Sequence, residues 1–128
     1  MDADGAHIYL IMNPGTGECF DSIGYHAIGS GEPHATSSLI EDGYSCYSAT
    51  LQEAMWGVFQ AKRRAERAPG VGQAGDFAII EPGHVVRFSE TTLASLQELY
   101  NEVVGIKEEC LGKLRPKFSS IPIPDEKP

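Results

Sequence analysis

The residues of this chain that could do chemistry are few, and their spacing narrows what that chemistry is. Gly29-Ser30-Gly31 stands where a strand-like run meets a helix-like one, and free backbone N–H groups at such a junction favour an anion or a nucleotide phosphate. The turn lacks the lysine of a phosphate-binding loop and the further glycines of a dinucleotide fingerprint, so a close strand-to-helix connection is the plainer reading. Cys46, within Tyr44-Ser45-Cys46-Tyr47, becomes a nucleophile if a histidine approaches it in space. His7, His26, His34 and His84 show no i,i+4 pairing and no companion Cys-x-x-Cys, which argues against zinc; no metal and no cofactor is expected. Lys62-Arg63-Arg64 with Arg67 is a basic cluster containing Glu66, read first as a solvated helix face and second as a contact for an acidic neighbour.

The elements that must position these residues follow from periodicity and turn chemistry. His7 to Met12 is β-branched and aromatic, Asn13-Pro14-Gly15-Thr16-Gly17 is a turn, and Cys19 to Ile28 is a second run; together they predict a β-hairpin. Neither side of the second run is cleanly polar, so both faces of its sheet are expected to be covered. Pro33 suits the start of a short helix that runs to about Asp42 and stops at Gly43. Ser30 is expected to cap that helix. Thr50-Leu51-Gln52-Glu53 has the spacing of a capping box, and Leu51 to Ala65 keeps helical period until Pro69-Gly70 breaks it. Gly75 to Ile80, the turn Glu81-Pro82-Gly83 and His84 to Phe88 predict a second hairpin. From Thr92 to Leu114 apolar residues step by three and four, which predicts a long helix. Pro116 to Pro128 holds four prolines and no period, and is expected to be an extended or disordered tail after a domain spanning 1–115. Trp56, Phe59 and Tyr100 read as packing residues, with some available between subunits; Cys19 and Cys110 read as core.

Composition limits the rest. The chain has 128 residues, 10 Lys+Arg against 18 Asp+Glu, and a formal net charge of −8; with no basic stripe, nucleic acid and anionic membrane are poor partners. No apolar run approaches a membrane span, and the acidic start, Met1-Asp2-Ala3-Asp4, does not look like an export or transit signal. Three cysteines without a Cys-x-x-Cys pair fit a reducing compartment, so a cytoplasmic location is expected.

Read in order, the His7-Ile8-Tyr9 strand, the Asn13-Pro14-Gly15 turn, Tyr25-His26-Ala27-Ile28 and then Gly29-Ser30-Gly31 opening a helix resemble the C-terminal half of a proteasome-type subunit. The Glu53-Ala54 helix, the break at Gly70-Val71-Gly72, the Asp76-Phe77-Ala78-Ile79-Ile80 strand and the last helix follow in the same order, so the resemblance covers about residues 5–104. It implies part of the α/β/β/α sandwich of the N-terminal-nucleophile hydrolases, whose activity is threonine peptidase. Met1 and Asp2 offer no hydroxyl or thiol, and the half of the fold that carries the threonine and its partnering aspartate and lysine is not in this sequence. Gly29, Ser30 and Gly31 match the family's active-site vicinity. In the loop after the long helix, Ala65-Glu66-Arg67-Ala68-Pro69-Gly70-Val71-Gly72 lacks the aspartate and hydroxyl of active members, with Glu66 a loose substitute. The expected function is therefore a non-catalytic proteasome-like subunit or subunit portion acting in oligomeric assembly, with copies of itself or other proteasome-like subunits. The alternatives are the C-terminal portion of a threonine peptidase whose nucleophile lies outside this chain, and a small anion- or nucleotide-binding α/β domain.

Overall fold

The computed structural model describes residues 5–122. It is a mixed α/β arrangement of two small antiparallel sheets and three helices, in the order β1 (Tyr9–Met12), β2 (Thr16–Cys19), α1 (Glu32–Glu41), α2 (Leu51–Ala65), β3 (Ala78–Glu81), β4 (His84–Arg87) and α3 (Glu90–Phe118). The chain divides into two compact units, Met1–Phe88 and Ser89–Pro128.

In the first unit each sheet is a lone hairpin. Tyr9 pairs with Cys19 and Met12 with Thr16 in one, Ala78 with Arg87 and Glu81 with His84 in the other. The ladders reach slightly further than the strands, through Phe20 N–H donating to the Ile8 carbonyl (2.8 Å) and Phe88 N–H to that of Phe77 (3.0 Å). The expected strand from Cys19 to Ile28 shares only Cys19 with β2, which forms earlier, over Thr16 and Gly17 expected in the turn, because these residues pair with Met12 and Ile11. Beyond Cys19 the strand is cut short. Ile23 and Gly24 both donate to the Phe20 carbonyl (3.0 and 2.7 Å), and Gly24 takes a positive φ of 77°. Asp21 sits at the cut, accepting from Ile8 N–H (2.7 Å) and bonded to His7 Nδ1 (2.6 Å). Tyr25 to Ile28 then runs on outside any strand. The expected covering of both faces also fails: all of β2 is exposed, and Tyr9, Ile11 and Met12 of β1 are exposed too.

The packed centre of this unit is α1 against α2. The capping box of α2 forms as its spacing predicts: Glu53 N–H donates to the Thr50 hydroxyl (3.2 Å) and Thr50 N–H to the Glu53 carboxylate (2.7 Å). Leu39, Phe59, Ala61, Ala65 and Ala68 form the buried apolar core. Gly57 lets the helices approach, since a Cβ there would already touch Leu39 and Tyr44 at 3.4 Å. Phe77 joins the second hairpin to α2, its ring 5.6 Å from both Phe59 and Phe88.

The second unit consists of α3 and the residues after it. Ser89 caps α3, accepting from Thr92 N–H (3.0 Å). The helix runs through Pro116 to Phe118 and holds no buried residue. Cys110 is exposed, as is Cys19, so neither is the core residue expected of it. Residues 1–4 and 123–128, on which the acidic start and the last six residues of the Pro-rich tail fall, lie outside the described residues. No described helix is long and apolar enough to cross a membrane.

Candidate functional site

Gly29, Ser30 and Gly31 lie together on the rim of a cavity of about 600 Å³ in the first unit. One wall is the segment from Tyr25 to Ile28, and the other is formed by α1 and α2 through Ala35, Leu39, Val58, Ala61 and Ala65. The size falls within the range of small-molecule sites and the walls are mainly apolar.

Each residue of the turn has a separate job. Gly29 has a φ of +91°, which a side chain disfavours. Gly31 is buried, and a Cβ there would stand 2.8 Å from the Ala65 Cβ and 3.2 Å from the Ala65 carbonyl oxygen. That contact seats the start of α1 on the end of α2. Ser30 is exposed and does not cap α1, contrary to expectation: the N-cap is Gly31, and no side chain makes a capping bond. The reason lies in where the helix starts. With Glu32 and Pro33 as its first residues, the cap falls one position beyond the serine.

The same start suits an anion poorly. Pro33 has no N–H, Glu32 N–H is spent on the Gly29 carbonyl (3.1 Å), and Ala35 N–H on that of Gly31 (3.0 Å). Glu32 adds negative charge in the first turn, where the helix dipole would otherwise attract an anion.

The basic cluster is not a free solvated face. Lys62 Nζ donates to Glu66 (2.8 Å) and to the Gly72 carbonyl (2.7 Å), and Arg63 donates to both Glu66 oxygens (3.3 and 3.0 Å). Arg64 reaches back to Glu41 of α1 (2.7 Å). Burial pushes the Glu66 carboxyl up, but the bonds from Lys62 and Arg63 and their charges outweigh it, so Glu66 is held below the usual range. These contacts tie the 70s loop and α1 to the end of α2. Glu66 lies three and four residues after Arg63 and Lys62, a spacing at which opposite charges meet on a helix, so this much was available in the sequence.

The remaining candidates are dispersed. Cys46 Sγ packs on Gly24, where a Cβ would meet it at 2.1 Å. His26 stacks on Phe20 with ring centroids 4.0 Å apart, His84 bonds Glu81 (2.7 Å) and His34 is exposed. Among the described residues, no three His, Cys, Asp or Glu side chains converge on a point that could hold a metal. The lock of His7 and Ile8 onto Asp21 is the contact that sequence reasoning missed. Its only trace was an acidic residue inside a run read as strand.

Compared with protein families, curated proteins and solved structures, this chain matches none of them.

Proposed function

We propose that this chain is a proteasome-like subunit, or a portion of one, that acts in oligomeric assembly and not in catalysis. The observation that carries the reading is the state of its sheets. Two separate two-stranded hairpins, and a Tyr25–Ile28 run with no strand partner among the described residues, accompany a packed helix pair in the first unit, and we read them as parts of a β layer that lacks its remaining strands. A lone hairpin is marginal in water, and three or more strands or a helix are needed to hold it. Exposed Ile11, Ile28, Ile80 and Val85 line these strands and this segment, and an apolar strand with open backbone groups is a template for another chain.

The order of elements supports the family resemblance, with two strands, two helices, two strands and a long helix. So does the Gly29-Ser30-Gly31 junction, whose glycines are used for backbone shape and close packing. In this reading the junction is architecture: Ser30 holds no partner and activates no nucleophile.

Sedimentation of the purified chain tests the proposal. A species larger than a monomer is expected, and Ile28→Lys should lower its mass, because a lysine on a strand edge opposes pairing. Fluorogenic peptides should remain uncleaved. A compact monomer at high concentration contradicts the assembly role; peptide turnover abolished by a threonine-directed covalent inhibitor contradicts the non-catalytic one.

A further inference from the structure

The exposed apolar stripe of α3 has a pattern that names its partner. Leu96, Leu99, Val103, Ile106 and Cys110 follow one another at alternating steps of three and four, the a and d positions of a coiled coil. Leu99, Val103 and Ile106 are 43%, 37% and 56% exposed, Leu96 is half-buried, and no residue of α3 is buried. The two glycines inside the helix, Gly105 and Gly112, both fall at the outward c position, so neither leaves a gap in the seam. Asn101, Glu108 and Arg115, at f, are polar, while Val104 and Leu111 at b are apolar.

Charge decides the orientation. Glu102 flanks the seam at g and Lys107 at e. Neither has an oppositely charged residue three or four positions away in its own helix, the spacing that intrahelical pairs need. In a parallel pair, g of one helix meets the following e of the other, so Glu102 meets Lys107 twice by symmetry. An antiparallel pair would instead bring g to g and set Glu102 against Glu102 or Glu109, like charges, or against Ser95, a register in which Val103 faces only Thr92 across the seam. We propose that α3 pairs with α3 of a second copy of this chain as a parallel, in-register coiled coil. The inference stands on α3 alone and does not depend on the assembly role of the first unit.

Cys110 makes the arrangement measurable. It lies at an a position, so a parallel, in-register pair sets the two Cys110 thiols facing each other, whereas an antiparallel pair separates them. The full chain is treated with diamide, which takes two electrons and two protons from a thiol pair as the S–S bond forms, and the linked peptides are mapped. A Cys110–Cys110 dimer is expected. Ile106→Glu should abolish it and Glu102→Lys should slow it several-fold, while Glu102→Lys combined with Lys107→Glu should restore it. Circular dichroism checks that each variant keeps its helix. Absence of the Cys110 link in the unaltered chain, or a link that persists undiminished in Ile106→Glu, would overturn the proposal. Dimers linked only through Cys19 or Cys46 count against it equally.

Discussion

A methyl group on Gly31 would collide with the Ala65 carbonyl as well as its side chain, and backbone cannot swing away. Gly31→Ala should therefore part α1 from α2 and destabilise the first unit by about 1–3 kcal/mol, the usual effect of overpacking. Gly29→Ala should cost on the order of 1 kcal/mol or more through its positive φ. Ser30→Ala, exposed and capping nothing, should stay within about 0.5 kcal/mol. Thermal melts by circular dichroism check the series; a Ser30→Ala loss equal to that of Gly31→Ala would contradict this division of labour. Asp21 gives a prediction in pH. The hydrogen bond with His7, then that from Ile8 N–H, holds its carboxyl below the usual carboxylate value of 3.8. A group depressed in the folded state stabilises it above its unfolded pKa, and that stability is lost as pH falls through the folded value. Asp21→Asn should thus melt below the parent chain at neutral pH and converge with it in strong acid. A gap of constant size across that range would contradict the assignment.

At the scale of elements, the long helices were written in local signals. The Thr50–Glu53 box starts α2 and Pro69-Gly70 follows its end, and both work through neighbours a few residues apart. Thr50→Ala should cost about 1 kcal/mol, read as a lower melting temperature with the helix retained; a variant that melts with the parent would show that the box contributes nothing. The hairpin turns at Asn13-Pro14-Gly15 and Pro82-Gly83 were legible for the same reason, although Thr16 and Gly17, expected in the first turn, belong to β2. What misled was the stretch from Cys19 to Ile28, where apolar content reads as strand. Its Asp21, Ser22 and Gly24 are turn residues, but what ends β2 is non-local: Asp21 binding His7 and Ile8 more than ten residues back, and Cys46 closing over Gly24. The candidate site shows the same split. Its glycines could be picked out by type, whereas the cavity behind them depends on α2 arriving from thirty residues later, which no local spacing encodes. The end of α3 departs from the expected stop at Arg115, because α3 carries Pro116 two residues before its end.

At the scale of the whole molecule, the chain combines a well-joined helix pair with strands that have too few neighbours. Leu39, Phe59 and the alanines around them are sealed between α1 and α2, while large apolar residues of both hairpins face outward. Such a surface asks for further strands. In the proposed assembly the binding edge is Tyr25–Ile28, between β2 and the Gly29-Ser30-Gly31 turn. Its most direct test is amide hydrogen exchange at His26, Ala27 and Ile28, followed in the assembled and dissociated chain and carried out on Ile106→Glu so that pairing through α3 cannot intervene. These amides should exchange rapidly in the dissociated chain and become protected on assembly, in step with the loss of monomer. Rapid exchange in both states, or full protection in the monomer, would contradict the claim that this segment is an open strand awaiting a partner.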